Sequence, residues 1–173
     1  MPLSMYQASV PTFVQILTAL SGVLDKAQTY ATAKKCDATV LLAARLAPNM
    51  FPLSQQVQIA SDFAKGASAR LAGADVPSWP DREKTFPELQ ERIKKTTDFV
   101  QSFKAAQIDG SEERDVKLSI GGQPVTLKGQ PYLIHFVLPN FYFHATTAYA
   151  ILRHNGVELG KRDFVGAVPG LGG

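Results

Sequence analysis

The chain has 173 residues, 45% hydrophobic and 19% charged, which is typical of one globular domain with a full core. No apolar run approaches the roughly 20 residues of a membrane span, and the first residues lack the features of a signal peptide. The net charge of +3 is dispersed, without a Lys/Arg stripe among aromatics, which argues against nucleic-acid binding. We expect a cytoplasmic, single-domain protein over residues 1–173, with a frayed tail over 165–173.

The single cysteine, Cys36, limits the chemistry that the chain can carry. One cysteine cannot form an internal disulfide, which suits a reducing compartment, and it excludes a zinc cage built from cysteines. We expect Cys36 to be a small, buried or half-buried residue.

The first long helix is predicted from apolar residues that recur at three- and four-residue spacing. Ser9–Pro11 is its expected start, because a capping hydroxyl precedes a proline, and it should run to about residue 33. Asp37 is expected to cap a short extra helix through Leu46, which Pro48 ends.

Two further helices show the same spacing. One is expected over 53–71, with Gly73 as its terminator. The other follows the capping box Thr85-x-x-Glu88 and should end near 109–110.

A change of period then marks a β-hairpin around Gly121-Gly122, since hydrophobic residues alternate with polar ones on both sides. Pro124 should lie near the start of the second strand or on an edge of the sheet. The last long helix is expected over about 131–154, with a kink or break at Pro139. The predicted fold class is therefore all-α: an antiparallel four-helix bundle with one short extra helix and a β-hairpin before the last helix.

The last helix carries the stretch LPNFYFHATTAYAILRHNG, residues 138–156, which is rich in aromatic rings. Neighbouring rings on a helix diverge by about 100°, so they cannot all enter one core. Small residues follow the rings, at 145–148, and would let another helix approach closely. We therefore expect a homodimer built partly on this helix, although the small residues could equally receive the hairpin.

The helix order, the hairpin and the ending His144-(x)8-Arg153-(x)2-Gly156 resemble the DinB/YfiT-like superfamily of four-helix bundles. The stretches Arg45–Leu53, Phe51–Gly66 and Pro139–Phe164 resemble an uncharacterised bacterial branch of that superfamily. The resemblance covers almost the whole chain, and it implies a DinB-like bundle of unknown function.

Metal-binding members of the superfamily resemble one another in a site of three histidines. One histidine lies on the second long helix and two, four residues apart, lie on the last helix. The resemblance implies that the matching positions of this chain are candidate metal ligands. His144 matches the second histidine of the last helix, and Asn140 stands where the first would be. The position on the second long helix falls near Ser61 or Asp62. The resemblance thus implies a degenerate site of His144, Asp62 and Asn140, which would hold zinc or nickel less well than three imidazoles.

The sequence allows two interpretations of His144. It is either a buried histidine hydrogen-bonded to Asp62 or to a tyrosine such as Tyr142 or Tyr149, or the centre of a small polar cavity. In the second case Asp62 would be its catalytic partner, and Asn140, Tyr142, Arg45 and Lys65 are candidate ligand-binding residues. Lys161 and Arg162, after the last helix, either hold an anionic group or belong to a surface loop pinned by Phe164.

Two functions follow from these interpretations. The first is a dimeric small-ligand-binding or interaction module with a degenerate metal site. The second, implied by the resemblance, is a metal-dependent enzyme of thiol-transferase or hydrolase type centred on His144.

Overall fold

A computed structural model of the chain describes residues 3–171. In chain order its elements are α1 (Met5–Lys34), α2 (Ala38–Ala43), α3 (Leu53–Ala72), α4 (Phe86–Ser102), α5 (Ala105–Ile108), β1 (Asp115–Ile120), β2 (Gln123–Lys128), α6 (Gly129–Pro131), a π-helical segment (Tyr132–Val137), α7 (Leu138–His154) and α8 (Lys161–Val165). The predicted helical bundle with a hairpin before the last helix is confirmed. Where one short helix was expected, the described residues contain four: α2, α5, α6 and α8.

The four long helices enclose one core. Helix α3 packs against both α4 and α7, and α1 packs chiefly on α4. Helix α1 is long and apolar enough to cross a membrane by length and composition alone, contrary to the sequence expectation. Half of the most apolar 18-residue stretch of α1 is buried within the bundle, as in the core helix of a globular domain.

The first helix begins earlier than predicted, so Ser9–Pro11 is not its start. Ser4 is the N-cap, and its side chain and that of Gln7 form a reciprocal capping box. Pro11 lies inside α1 on an exposed position. Its missing N–H leaves the carbonyl of Gln7 without its helical partner, and water can solvate that carbonyl at the surface.

Two of the predicted caps are confirmed. Asp37 accepts a hydrogen bond from the backbone N–H of Thr39 at 2.9 Å, although α2 ends at Ala43 rather than near Leu46. The capping box of Thr85 and Glu88 starts α4. That helix ends at Ser102 rather than near 109, and the chain turns through an extended Phe103 into α5.

The last helix is not regular over its predicted length. Pro139 is the second residue of α7, and the six residues before α7 form the π-helical segment, in which the N–H of Leu138 donates to the carbonyl of Leu133. In a regular α-helix the proline ring would clash with the carbonyl of His135, four residues earlier. The wider π register relieves this clash, so the expected irregularity precedes Pro139.

The hairpin is confirmed, with Ile120 paired to Gln123 across Gly121-Gly122. Both glycines have positive φ, 58° and 80°, as a type I′ turn requires. Pro124 is the second residue of β2, opposite Ser119, as expected near the strand start.

Cys36 and the C-terminal tail are two further places where the sequence expectation can be compared with the structure. Cys36 is exposed, contrary to the expected burial, because it follows directly on the left-handed cap Lys35. The tail predicted as frayed, 165–173, falls partly outside the described residues. Within them, Val165 closes α8, and its carbonyl accepts a hydrogen bond from Gln15 Nε2 at 2.9 Å.

Gly129, where β2 passes into α6, is the position at which the fold tolerates no side chain. A Cβ there would lie 2.0 Å from the backbone oxygen of Ser111. We expect Gly129→Ala to lower the free energy of unfolding by about 2–3 kcal/mol, since backbone must move to relieve the overlap. Gly22→Ala, where a Cβ meets nothing within 4 Å, should raise it by about 0.5–1 kcal/mol.

Urea unfolding of the two variants measures both changes. Equal stability of Gly129→Ala and the wild type would show that the chain can pack around Ser111 in another way.

Candidate functional site

His144 lies near the middle of α7 and faces the start of α3. Its Nδ1 is 2.7 Å from Oε1 of Gln56, and the pair is buried. Gln56 in turn donates from Nε2 to the backbone carbonyl of Phe51 at 3.0 Å. The partner of His144 is therefore Gln56, rather than the Asp62 or tyrosine hydroxyl considered from the sequence.

The Gln56 amide determines which imidazole nitrogen carries the proton. Its Nε2 is committed to the carbonyl of Phe51, so its oxygen must face His144. An amide oxygen accepts only, and Nδ1 of His144 must therefore be the N–H donor. In the neutral ring this leaves Nε2 with its lone pair, and among residues 3–171 no side chain or backbone group bonds it.

Aromatic rings surround this imidazole. Phe63 of α3 stacks on it with centroids 5.9 Å apart, and Phe143 meets it edge to face at 5.2 Å. Burial lowers the pKa of His144 below its ordinary 6.5, so the ring is neutral at physiological pH. The result is a neutral hydrogen-bond acceptor in an aromatic setting.

Asp62 belongs to a different cluster, centred on the buried Arg92 of α4. The Arg92 guanidinium reaches Asp62 at 3.0 Å, Asp81 at 2.8 Å and Glu83 at 3.0 Å. Gln58 of α3 adds a hydrogen bond to Glu83 at 2.8 Å. Arg92 thus joins α3, α4 and the loop between them, and the three carboxylates provide the opposite charge that its buried guanidinium needs.

Glu83 is the least exposed of these carboxylates. Its burial raises its pKa, but hydrogen bonds from Arg92, from backbone and from Gln58 outweigh this effect. The pKa of Glu83 is therefore held below its ordinary 4.5, and the carboxylate stays charged well into the acidic range.

Lys65 belongs to the same cluster. Its ammonium contacts Asp62 at 2.7 Å and lies 4.6 Å from the ring centroid of Trp79, which Lys95 approaches from α4 at 4.4 Å. These cation–π contacts fix the only tryptophan of the chain against the bundle. Lys65 is occupied by structural contacts, and it is not placed beside His144.

The other predicted site residues also have contacts of their own. Asn140 donates from Nδ2 to the carbonyl of Phe136 at 2.7 Å, next to the π-helical segment. Arg45 is exposed and donates to the carbonyl of Met50 at 3.3 Å. Tyr142 is 37% exposed on α7, and partial burial raises its pKa.

These placements allow a fit test of the predicted zinc or nickel site. The neutral His144, with Nε2 free, suits a metal ligand. Asp62 pairs with two cationic side chains, and Asn140 donates to a backbone carbonyl. The structure therefore does not bring His144, Asp62 and Asn140 together. Within residues 3–171, no group of three His, Cys, Asp or Glu side chains is arranged to hold a metal ion. The donor set present does not fit such a site. Metal binding itself stays a prediction, which the metal content of the purified protein tests.

Residues 5–165 match a family described as a domain of unknown function, DUF1993. The chain belongs to the DUF1993 family. It is also similar to the crystal structure, at 1.83 Å resolution, of a DinB family member protein from Shewanella denitrificans. Identity is 41%, the match covers 97% of this chain and 95% of the other, and the TM-score is 0.87. The resemblance to DinB-like bundles is confirmed, and comparison with curated proteins gives no match.

Two residues that matter in this DUF1993 protein were missed from the sequence. Gln56 lies one to two turns before the Ser61 and Asp62 inspected for a ligand on α3. The sequence signal for Gln56 was its position in the first turn of α3, which the middle of an antiparallel α7 can contact. Arg92 lies three residues after the buried Leu89 and next to Ile93, so its spacing placed a cation on the apolar stripe.

The Arg92 cluster makes the free energy of unfolding depend on pH in the acidic range. Glu83 has a folded-state pKa below 4.5, so its contribution is present above that pH and is lost as the pH falls through the folded value. We expect the wild type to lose more stability than Glu83→Gln between about pH 5 and about pH 3. Urea unfolding across this range measures the difference, with Glu91→Gln as the control at an exposed carboxylate of α4. Parallel curves for wild type and Glu83→Gln would contradict the assignment.

Proposed function

We propose that this DUF1993 protein is a small-ligand-binding bundle in which the ligand donates a hydrogen bond to Nε2 of His144. The observation that carries the proposal is the fixed tautomer, with Nδ1 committed to Gln56 and Nε2 unbonded among residues 3–171. A neutral imidazole in this state accepts at one defined atom. It therefore favours a ligand with a hydroxyl or an N–H group.

The surroundings favour a ligand with an aromatic or apolar body. Phe63 and Phe143 contact the imidazole, and Phe143 is 54% exposed. Phe51, whose carbonyl holds Gln56, is 53% exposed. Large exposed rings beside a buried polar pair are typical of binding surfaces. A small aromatic alcohol or amine combines the two features.

The same exposed rings support the proposed homodimer through the last helix. Phe143 and Tyr142 point away from the core of their own chain, while Ala145 and Ala148 are fully buried in it. The small residues thus serve packing within the chain, since α7 packs most closely on α3. A second copy of the chain, packed on α7, would cover the exposed rings of Phe143 and Tyr142. A cytoplasmic location is part of the proposal, and the exposed free thiol of Cys36 supports it.

The alternative is a metal-dependent enzyme of thiol-transferase or hydrolase type centred on His144. One observation favours it: a neutral imidazole whose other nitrogen donates to an oxygen is the usual state of a metal-binding histidine. The ligand proposal is preferred because Asp62 and Asn140 are engaged elsewhere.

We expect the imidazole of His144 to titrate below its ordinary pKa and to remain the Nδ1–H tautomer at neutral pH, as measured by nitrogen NMR of the ring. Phenol, used as the probe, should shift its Nε2 resonance saturably. Untagged protein purified without chelator should contain no stoichiometric metal by mass spectrometry. His144→Ala should lower the free energy of unfolding by about 1–3 kcal/mol, since Gln56 loses its partner.

His154→Ala, at an exposed histidine of the same helix, is the matched control and should change neither measurement. Near-stoichiometric zinc, nickel, iron or manganese that disappears in His144→Ala would replace the ligand proposal with the enzyme alternative. An Nε2 resonance that phenol does not move would overturn the proposed contact.

The homodimer is tested by solution mass. We expect wild-type protein to have twice the chain mass in light scattering, and Phe143→Ser to shift it toward the monomer, because a ring that anchors the interface is removed. Ile120→Ser, at the exposed hairpin tip, is the control and should leave the mass unchanged. A monomeric wild type at micromolar concentration would remove the dimer from the proposal.

A further inference from the structure

A groove of about 680 Å³ runs along the outer face of α1, below the segment that carries α8. Its floor on α1 is made mainly of small and apolar residues, among them Pro11, Val14, Ala19 and Gly22, and Ala167 and Pro169 form part of its wall. This volume lies within the range of about 300–1,000 Å³ that small-molecule sites occupy. None of the lining residues belongs to the His144 site.

The wall of the groove is fixed to α1 at three points. Gln15 donates to the carbonyl of Val165 at 2.9 Å, and Lys26 pairs with Asp163 at 2.8 Å. Gly166 approaches so closely that a Cβ there would lie 2.9 Å from the Cβ of Ala19. The groove is therefore a built feature of the fold.

The charges of the lining do not cancel. Its charged residues are Lys26, Arg162 and Asp163. Lys26 and Asp163 neutralise each other, and Asp163 also accepts from the N–H of Gly160 at 2.8 Å. Arg162 has no carboxylate partner among residues 3–171, so one guanidinium remains beside an apolar surface.

We propose that this groove binds an amphipathic monocarboxylate, with its apolar chain along α1 and its carboxylate on Arg162. Apolar lining favours burial of a hydrocarbon chain, and a single guanidinium matches a single carboxylate in charge and in its paired hydrogen-bond geometry. A neutral chain would leave Arg162 unused, and a doubly charged headgroup would exceed the one available cation.

Decanoate, below its micellar concentration, is the probe for calorimetric titration of the full-length protein. We expect saturable binding of one molecule per chain. Gly22→Phe should weaken it at least about tenfold, because a ring at this open position fills the groove. Gln28→Phe, which places the same ring at an exposed position of α1 outside this groove, is the matched control and should bind decanoate as the wild type does. Circular dichroism and melting of both variants confirm that the fold is kept.

Arg162→Gln tests the carboxylate contact at an exposed position that cannot disturb the core. It should weaken decanoate about tenfold and leave decanol, the uncharged analogue, unchanged. Arg153→Gln, at an exposed arginine outside this groove, should alter neither ligand. Absence of saturable binding to the wild type, equal binding to Gly22→Phe, or equal loss of decanoate and decanol in Arg162→Gln would each overturn the proposal.

Discussion

The close approach of α3 and α7 is the constraint on which the candidate site depends. The two helices meet through alanines that are fully buried, Ala60, Ala64 and Ala67 on one and Ala145 and Ala148 on the other. Such an interface leaves little room for polar groups, and any that enter it must be bonded within it. His144 and Gln56 meet this requirement for one imidazole nitrogen only. The second nitrogen has no hydrogen bond among residues 3–171, and it is the atom to which the proposed ligand would donate.

Burial and charge act differently on the two polar clusters of α3. The Arg92 cluster holds its charges because three carboxylates surround one guanidinium, so its members are engaged with one another within the fold. His144 has lost its charge instead, since burial favours the neutral ring. Asp62 and His144 therefore differ in chemical state although their helices are in contact. This difference is the physical reason for separating Asp62 from the candidate site.

Much of the fold could be predicted because its signals are local. The capping box at Thr85, the Asp37 cap and the Gly121-Gly122 turn each satisfy backbone groups within a few residues. The start of α1 was mispredicted because Pro11 looks like an entry signal and is tolerated at an exposed position inside the helix. The partner of His144 could not be predicted, since 88 residues separate it from Gln56 and only helix packing decides which side chain arrives.

The two proposed binding surfaces rest on different physical terms. At His144 the driving interaction is one hydrogen bond at a nitrogen whose proton position is fixed by Gln56, so specificity depends on the donor that the ligand supplies. Along α1 the driving term is apolar burial, and Arg162 decides the orientation and the charge of the ligand. The groove needs the anchored segment of α8, whereas the His144 pair needs only α3, α7 and the loop before α3. Because they share no residue, either surface can be lost without the other, and a DinB-like bundle can carry both on one rigid core.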